Sequence, residues 1–462
     1  MIATSAPSDS NSAMFTLAEN PSLPLIHPYE PDKVLVMHNQ TAISHKQFLQ
    51  SVLSLATLLP DGDYALNICE DRYYFLLTFC ALLIKGSVNL LPPNRQPSVL
   101  TELAQGYTNC YCILDKEQPC DLPSLNVCDL LNTAFPATNP ELPLLPAQQL
   151  AAIAFTSGST GKPQANAKCW GTLAATAQLL ARRFATPFSQ PTIVATVPPQ
   201  HMYGLETTSM MALYGGAVMH SAKPFYPADL QQLLQTIASP VLLVSTPIHL
   251  RAMANAELAM PSVSGILSAT APLDTALAES CETLFNTRLW EIFGCTEAGC
   301  MATRLPTATA TWELLEGFSL SQQEQYLIAK APHLAEDALI QDQFELIDKT
   351  HFLLLGRNAD MINVAGKRAS LAHLNNLLLK INGVSDGVIF SPKNNSQQNL
   401  RLVGLVVSEL PEKVILQQLS QKIDAVFLPR PFRKVNSLPR NETGKLTQTA
   451  LHELWEQLNE RK

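Results

Sequence analysis

A turn rich in glycine and hydroxyl groups follows an apolar run. The stretch FTSGSTGKP, from Phe155 to Pro163, comes directly after the residues Leu150 to Ala154. Glycine lets the backbone approach a ligand closely, while hydroxyl groups and a lysine can donate hydrogen bonds to an anion. A Walker loop is excluded because Gly158 and Gly161 are too close together and Pro163 occupies the place of the magnesium-binding hydroxyl. A phosphate-binding loop of another kind and an ordinary turn both remain open.

Four more stretches follow in an order that is itself informative. They are SATAPL (268–273), FGCTE (293–297), GRNADMINVAGKR (356–368) and LPRNETGKL (438–446). Together with the glycine-rich turn they resemble, in order and spacing, the motifs of the adenylate-forming superfamily of acyl-CoA synthetases, adenylation domains and luciferases. The resemblance covers roughly residues 150 to 450. It implies an α/β fold with a large N-terminal domain of sheets flanked by helices (1–356) and a small, mobile α+β C-terminal domain (357–462).

The resemblance also implies an ATP-binding site. Phe293 stands where a tyrosine is frequent and can stack on adenine, and Asp342 and Arg357 would bind the ribose. Asp342 lacks the Thr-Gly that usually precedes it, so an ordinary turn aspartate remains possible. The implied ATP-binding residues are Thr156, Ser157, Gly158, Ser159, Thr160, Gly161, Lys162, Thr270, Ala271, Pro272, Phe293, Gly294, Asp342 and Arg357.

Three residues are implied to be catalytic. Lys445 matches the lysine that bridges the carboxylate and the α-phosphate, and it stands beside Gly444 in a loop. Glu297 matches the magnesium-binding glutamate, because Mg²⁺ that bridges phosphates is bound by one or two carboxylates. Thr296 would donate to the α-phosphate. Taken alone, Lys445 could be a solvated lysine and Glu297 a helix-terminal carboxylate.

The acid substrate and the domain hinge are less well defined. His201, in PPQHMYG, stands where the family has a residue that lines the acyl pocket, although a core or surface histidine is an equal alternative. The small residues Ala269, Cys295 and Ala298 would leave room for an apolar or planar acid. Ala359, with Asp360 after it, occupies the hinge position where an aspartate or lysine is usual. Rotation of the small domain about this hinge is implied by the resemblance alone.

A narrower resemblance concerns STGKPQANAKCWG and VPPQHMYGLETT, which are similar to stretches of the stand-alone AMP ligases of bacterial aryl-polyene and xanthomonadin pigment clusters. Here Lys168 and Trp170 replace residues that are usual in the superfamily. The implied reaction joins a carboxylic acid to ATP, releases pyrophosphate and transfers the acyl group to a thiol. The acceptor would be an acyl carrier protein, acting in trans because no carrier domain follows Lys462, or coenzyme A. A nucleotide-binding regulatory protein without catalysis is the alternative from another class.

Composition limits the classes of partner. The net charge is −8, but the residues from Arg357 onward contain 15 Lys plus Arg against 9 Asp plus Glu, a net charge of +6. This basic part, which includes PRPFRK (429–434), would attract an acidic carrier protein or the phosphates of coenzyme A. The protein as a whole is not basic enough for a nucleic-acid binder, and no apolar run is long enough to span a membrane. The N-terminus lacks the pattern of a secretory signal, so a cytoplasmic location is expected. In that location the ten cysteines are expected to be free thiols.

The elements that must position these residues are predicted by hydrophobic patterning. Short apolar runs such as TIVATV (192–197), VLLVS (241–245) and GILSA (265–269) alternate with helical patterns such as 71–86, 170–185 and 227–238. This alternation predicts a largely parallel sheet covered by helices on both faces. Residues 140–146 are predicted to form a linker before the glycine-rich turn, and the residues after 368 to form a helix, two strands and a helix.

Overall fold

A computed structural model describes residues 16–118, 120–133, 140–157, 163–184, 190–323, 326–340, 342–357, 361–364, 367–392, 402–441 and 444–460. The strands are β1 (Ser22–Pro24), β2 (Val34–His38), β3 (Thr41–Ser44), β4 (Tyr64–Asn67), β5 (Val88–Leu91), β6 (Cys110–Leu114), β7 (Ser124–Asn126), β8 (Leu144–Pro146), β9 (Leu150–Ser157), β10 (Pro163–Cys169), β11 (Thr192–Ala195), β12 (Val218–His220), β13 (Val241–Ser245), β14 (Gly265–Ser268), β15 (Leu289–Cys295), β16 (Gly299–Arg304), β17 (Trp312–Leu314), β18 (Ser319–Gln323), β19 (Tyr326–Lys330), β20 (Ala338–Ile340), β21 (Asp342–Leu346), β22 (His351–Arg357), β23 (Met361–Val364), β24 (Lys367–Ser370), β25 (Val384–Phe390), β26 (Val403–Ser408) and β27 (Phe432–Lys434). The helices are α1 (His45–Leu58), α2 (Arg72–Lys85), α3 (Pro97–Gln105), α4 (Val127–Thr133), α5 (Trp170–Phe184), α6 (Met202–Gly204), α7 (Met211–Tyr214), α8 (Pro227–Thr236), α9 (Pro247–Ala254), α10 (Thr275–Phe285), α11 (Leu371–Leu379), α12 (Glu412–Ser420) and α13 (Gln448–Glu460). Leu205–Met210 form a π-helical segment between α6 and α7, and Leu17–Glu19 and Ala425–Phe427 are short 3₁₀ turns.

Two large sheets form most of the described N-terminal part, and β1-β8 and β18-β19-β20 form two small ones, which confirms the sheets that the resemblance implies. The first has the order β10-β9-β5-β4-β6-β7, with only β10 antiparallel to its neighbour. The second has the order β21-β22-β17-β16-β15-β14-β13-β11-β12-β2-β3. Its strands from β15 to β2 are parallel, and antiparallel strands extend it at both edges. The prediction of a largely parallel sheet therefore holds for the interior of each sheet.

The second sheet collects the predicted site at one edge. In the register, Ala195 lies beside Val244, Val244 beside Leu267 and Leu267 beside Trp290. Because the carboxyl ends of parallel strands meet at the same edge, the loops after β11, β13, β14 and β15 are neighbours there. These loops carry His201, Thr246, SATAPL and FGCTE.

Local signals place the helices. Asp71 begins α2 by accepting hydrogen bonds from the backbone N–H groups of Tyr73 at 2.8 Å and Tyr74 at 3.4 Å. Gly86 ends it in a left-handed conformation with φ of +82°. The predicted linker is corrected at its end, because Leu144–Pro146 form a strand paired with Ser22–Pro24.

The C-terminal part has its own sheet and core. The order is β25-β26-β27, and α11, α12 and α13 pack against it. One apolar cluster includes Leu378, Ile389 and Leu419, and a second includes Leu405 and Trp455. A large sheet-rich domain followed by a smaller one is thus confirmed, while the boundary after 356 and the mobility stay predictions.

The two parts touch. Lys380, which directly follows α11, forms an ion pair with Asp274 at the start of α10, with 2.9 Å between Nζ and Oδ1. In the part of the chain that the structure describes, no helix combines the length and the hydropathy that crossing a membrane needs.

Candidate active site

The glycine-rich turn connects two antiparallel strands. Thr156 and Ser157 end β9 and lie opposite Gln164 and Pro163 of β10. A Walker loop leads from a strand into a helix, so this hairpin agrees with the exclusion of that motif. Only the backbone of Thr156 and Ser157 is described. The remaining predicted turn residues, Gly158, Ser159, Thr160, Gly161 and Lys162, lie outside the described residues, as do the hinge residues Ala359 and Asp360.

The SATAPL turn lies at the carboxyl end of β14. Ala271 and Pro272 are exposed, whereas Ala269 is buried. Thr270 adopts φ of +80°, which is strained for a β-branched residue and is the kind of conformation found at binding sites. The backbone N–H of Leu273 donates to Oε1 of buried Glu291 at 3.1 Å. This bond ties the turn to β15.

Glu291 is in turn held by Arg304. The guanidinium donates to Oε2 of Glu291 from Nε at 2.7 Å and from Nη2 at 2.6 Å. Burial raises the pKa of Glu291, and the charge of Arg304 opposes this effect. The carboxylate therefore links the SATAPL turn, β15 and β16 in one buried contact.

The ring of Phe293 packs edge-to-face with three other aromatic rings. Its ring centroid lies 5.7 Å from Trp312, 5.4 Å from Phe344 and 5.9 Å from Phe352. The side chain remains half-buried, so part of the ring borders the site edge. Gly294 follows at a bulge, where any side chain would collide with the backbone oxygen of Gly299. A glycine is required there by this close approach.

Thr296 and Glu297 lie in the tight turn between β15 and β16. Thr296 is half-buried and Glu297 is exposed at the carboxyl edge of the sheet. Burial and the neighbouring Glu297 charge raise the pKa of the Cys295 thiol to about 12. The described residues hold no cluster of three or more His, Cys, Asp or Glu that could bind a metal alone. A single exposed carboxylate still fits Mg²⁺, because phosphates and water supply its other ligands.

The two predicted ribose-binding residues are cross-strand neighbours. Asp342 begins β21 and Arg357 ends β22, and they lie directly opposite each other in the antiparallel ladder. Opposite residues on one face of such a ladder have Cβ atoms about 5 Å apart. The half-buried Asp342 is described in full, and Arg357 in its backbone alone.

The loop that carries His201 is closed tightly. A side chain at Gly204 would collide with the carbonyl oxygen of Pro198. Arg72, which is fully buried, donates from Nη2 to the carbonyl oxygens of Ala195 at 2.6 Å and Val197 at 2.5 Å. From Nη1 it donates to a carbonyl oxygen after β12 at 2.5 Å. Burial lowers the pKa of Arg72 to about 10, so the side chain stays charged.

The loop that carries Lys445 is held from the C-terminal side. Arg440 forms a two-pronged contact with Asp386, with both distances 2.7 Å, and donates to the carbonyl oxygen of Gly444 at 2.9 Å. The backbone N–H of Lys445 donates to Oδ1 of Asn441 at 2.8 Å. These bonds hold the described residues on both sides of positions 442 and 443.

The same loop lies directly against the N-terminal part. Gly444 has φ of +76°, and a side chain there would collide with Ile248 of α9. Burial lowers the pKa of His201 to about 4, and the positive charge of Lys445 is the second cause. Nδ1 of His201 is buried and has no hydrogen-bond partner among the described residues. The exposed Lys445 therefore reaches the site edge from the other domain.

The predicted acid-pocket residues also come together. Ala269 and Ala298 belong to one apolar cluster, which includes Tyr203 beside His201 and the half-buried Cys295. Ala298 is fully buried and packs within this cluster. An apolar wall with one neutral imidazole suits an apolar or planar acid.

Two buried charged residues near the site were missed as functional residues. In the sequence, Lys168 stands out only as a departure from the usual superfamily pattern, and Glu206 is not among the predicted site residues. They are 4% and 1% exposed. A usable signal existed, because Lys and Glu are almost never fully buried unless they are paired. Both letters stand in otherwise uncharged stretches, NAKCWG and MYGLETTSM.

The chain is similar to known proteins over most of its length. A family model described as AMP-binding enzyme matches residues 29–328. The chain is 26% identical over 298 residues to a 4-coumarate–CoA ligase of Halorhodospira halophila, covering 63% of this chain and 73% of the relative. It is 21% identical over 403 residues to a 3,4-dihydroxybenzoate–[aryl-carrier protein] ligase of Bacillus anthracis, covering 84% and 90%.

A solved structure gives the same fold. The chain superimposes on an o-succinylbenzoate coenzyme A synthetase from Bacillus subtilis, in complex with ATP and magnesium ion, with a TM-score of 0.79. The match covers 93% of this chain and 99% of the other at 16% identity. The likeness concerns the architecture, including the small C-terminal domain.

Proposed function

The chain belongs to the AMP-binding enzyme family, part of the adenylate-forming superfamily, and we propose that it is an acid–thiol ligase that activates an aromatic or other acyl acid for transfer to a phosphopantetheine thiol. The observation that carries the proposal is the docking of the Lys445 loop against Ile248, which brings a cation from the small domain to the edge that carries His201. An isolated nucleotide-binding module has no need of such a contact.

In the first half-reaction, a carboxylate oxygen of the acid attacks the α-phosphorus of ATP, and the bond to the β-phosphate oxygen breaks. Pyrophosphate leaves and an acyl-adenylate remains. Lys445 neutralises the charge that accumulates between the carboxylate and the α-phosphate, and Thr296 donates to a phosphate oxygen. When bound at Glu297, Mg²⁺ neutralises charge on the phosphate oxygens.

The nucleotide is oriented by the remaining predicted residues. The glycine-rich turn from Thr156 to Lys162 binds phosphates, and the SATAPL turn and Phe293 hold the adenine. Asp342 and Arg357 bind the ribose hydroxyls from adjacent strands. In the second half-reaction the thiol sulfur attacks the acyl carbon, the thiol proton is lost to solvent and AMP leaves, which gives a thioester.

The acid is bound against the wall formed by Ala269, Cys295 and Ala298, with His201 at its rim. The relatives from Halorhodospira halophila and Bacillus anthracis are ligases of 4-coumarate and 3,4-dihydroxybenzoate, which are aromatic acids. Together with the resemblance to ligases of aryl-polyene and xanthomonadin clusters, this supports an aromatic or other acyl acid as substrate. We place the reaction in the cytoplasm, where a ligase that consumes ATP finds its co-substrate.

An acid-dependent ATP–pyrophosphate exchange screen tests the proposal. Benzoic, hydroxycinnamic and fatty acids are supplied one at a time with ATP and Mg²⁺, and label exchange is measured. We expect exchange with at least one acid and none without acid. Release of phosphate instead of pyrophosphate would indicate an ATPase, and nucleotide binding without any exchange would indicate a regulatory protein.

We propose an acyl carrier protein as the preferred acceptor, with coenzyme A as the alternative. In the basic segment 429–434, Arg430 and Lys434 are exposed. Arg433 instead packs over Trp455, with 5.0 Å to the ring centroid, and donates to the end of α13. Two cations therefore remain to face an acidic partner.

The acceptor is tested by measuring thioester formation with a phosphopantetheinylated acyl carrier protein and with coenzyme A. We expect Arg430→Glu combined with Lys434→Glu to lower kcat/KM for the carrier protein about tenfold and to leave adenylation unchanged. Exposed Lys116, changed to Glu, is the control. Faster transfer to coenzyme A than to the carrier protein in the wild type would favour the alternative.

A further inference from the structure

Two opposite charges are buried behind the turn that carries Thr296 and Glu297. Lys168 lies on β10, the strand that leaves the glycine-rich turn, and Glu206 lies in the π-helical segment after His201. Nζ of Lys168 donates to the carbonyl oxygen of Glu297 at 2.7 Å. Oε2 of Glu206 accepts from the backbone N–H of Cys300 at 2.9 Å. The turn is thus held on both sides from within the protein.

Each charge makes burial of the other possible. Burial lowers the pKa of Lys168, and the charge of Glu206 is the largest influence in the opposite direction. Burial raises the pKa of Glu206, which the hydrogen bonds from Cys300 and the charge of Lys168 oppose. Removal of one partner leaves the other ion buried without a counter-charge, which strongly destabilises a folded protein. The two residues therefore act as one unit.

The backbone of the turn is shaped around this unit. Gly299 adopts φ of +74°, and a side chain at this position would collide with Oε1 of Glu206. The turn therefore needs glycine at a position that touches the buried carboxylate. Glu297 is exposed at the site edge, while its backbone carbonyl oxygen accepts a hydrogen bond from Lys168.

A direct role of Lys168 in binding the acid fits the structure less well. Lys168 is only 4% exposed, and its ammonium already donates to the carbonyl oxygen of Glu297. A substrate carboxylate would have to displace that hydrogen bond. A purely structural pair is the other alternative. The two alternatives predict different results when the pair is lost. A positioning role predicts weaker magnesium-dependent nucleotide binding, and a purely structural role does not.

We propose that Lys168 and Glu206, which we name the turn clamp, are positioning residues that orient Thr296 and Glu297 for the magnesium–nucleotide complex. The inference rests on the proposed function in that it assumes magnesium binding at Glu297. The turn clamp joins the strand after the glycine-rich turn, the segment after His201 and the FGCTE motif. It thereby keeps three parts of the site in register with one another.

The test compares the binding of two nucleotides in the full-length protein by calorimetric titration. ATP with Mg²⁺ depends on Glu297, whereas AMP without metal depends on the adenosine contacts alone. Lys168→Met removes the donor to the Glu297 carbonyl but leaves Glu206 charged and buried. The double variant Lys168→Met/Glu206→Gln removes both charges at similar volume, so it keeps the fold where the single variant fails to fold.

We expect the double variant to bind magnesium–ATP at least about tenfold more weakly, the size typical of lost support behind a metal ligand. Its Kd for AMP should change less than twofold, and its melting temperature should stay close to that of the wild type. Lys168→Arg, which keeps a donor, should restore part of the magnesium–ATP affinity. Glu206→Gln alone should have a smaller effect, because the amide oxygen can still accept from Cys300.

Two results would contradict the positioning role proposed for the turn clamp. One is a folded double variant with unchanged affinity for magnesium–ATP, and the other is an equal loss for magnesium–ATP and AMP. Absence of acid-dependent exchange in the wild type is a different outcome. It would contradict the proposed ligase activity, while the two titrations would still decide on the turn clamp.

Discussion

Lys445, from the C-terminal domain, lies close enough to His201, from the N-terminal domain, for its charge to act on the imidazole. Burial is the main cause of the pKa of about 4 at His201, and Lys445 is the second. Lys445 lies near His201 because Gly444 packs against Ile248 and the Arg440–Asp386 pair holds the loop from the C-terminal side. This is the arrangement in which a lysine of the small domain can serve the first half-reaction.

Removing the charge of Lys445 should raise the pKa of His201. In Lys445→Met the burial remains, so we expect a value above about 4 that stays below the ordinary 6.5. The imidazole resonances can be followed by NMR over a pH titration and assigned by their absence in His201→Gln. An identical titration in the wild type and in Lys445→Met would show that the lysine does not reach the histidine.

The stability of the protein should fall as the pH is lowered from about 6.5 to about 4. Burial lowers the pKa of His45, His201, His249 and His333 to about 4 in each case. Between the two values the unfolded chain binds more protons than the folded one, so acid favours unfolding, and above the window this contribution is constant. Urea unfolding at a series of pH values measures the slope.

His333 offers a specific check of that slope. It is fully buried, and neither ring nitrogen has a hydrogen-bond partner among the described residues. His333→Leu should flatten the dependence of the free energy of unfolding on pH by up to about 3 kcal/mol over the window. If His333→Leu kept the full wild-type slope, the lowered pKa of this histidine would be refuted.

Glu291→Ala should weaken both the fold and the adenine turn. The change leaves Arg304 without its buried partner and removes the acceptor of the Leu273 N–H, for a loss of roughly 3 to 5 kcal/mol in the free energy of unfolding. In folded protein at low temperature, the KM for ATP should rise. Glu313→Ala is the matched control, because its pair with Arg183 is half exposed and should contribute less than about 1 kcal/mol.

Arg72→Met should destabilise the loop before His201. It removes the guanidinium donor from three carbonyl oxygens, two of them buried and one partly buried, at a cost of roughly 3 kcal/mol or more. Arg182→Met removes a surface guanidinium paired with Glu316 and should change stability by less than about 1 kcal/mol. Chemical unfolding measures both, and equal effects of the two variants would argue against the role of Arg72.

The sequence predicts those features that depend on local chemistry. The ends of α2 follow from Asp71 and Gly86, and the strands 241–245 and 265–268 follow from short apolar runs. The order of the motifs predicts the family. It also predicts that His201, SATAPL and FGCTE meet, because they follow parallel strands.

Contacts between distant residues are harder to predict. The antiparallel edges of the second sheet and its separation from the first depend on tertiary packing, which periodicity does not encode. Lys168 and Glu206 are each conspicuous as charges in uncharged stretches, yet nothing local indicates that they hold the two sides of one turn. The packing of Gly444 against Ile248 cannot be predicted from the sequence either, because it joins residues of two domains.

The central claim is that Lys445 performs the first half-reaction, and pyrophosphate exchange with the best acid tests it most directly. Lys445→Met is compared with the wild type and with Lys413→Met, an exposed lysine on α12. We predict that Lys445→Met loses exchange by at least about a hundredfold with an unchanged melting temperature, since it removes a charge that stabilises the transition state. The control should exchange like the wild type. Exchange in Lys445→Met at the wild-type rate would contradict the account.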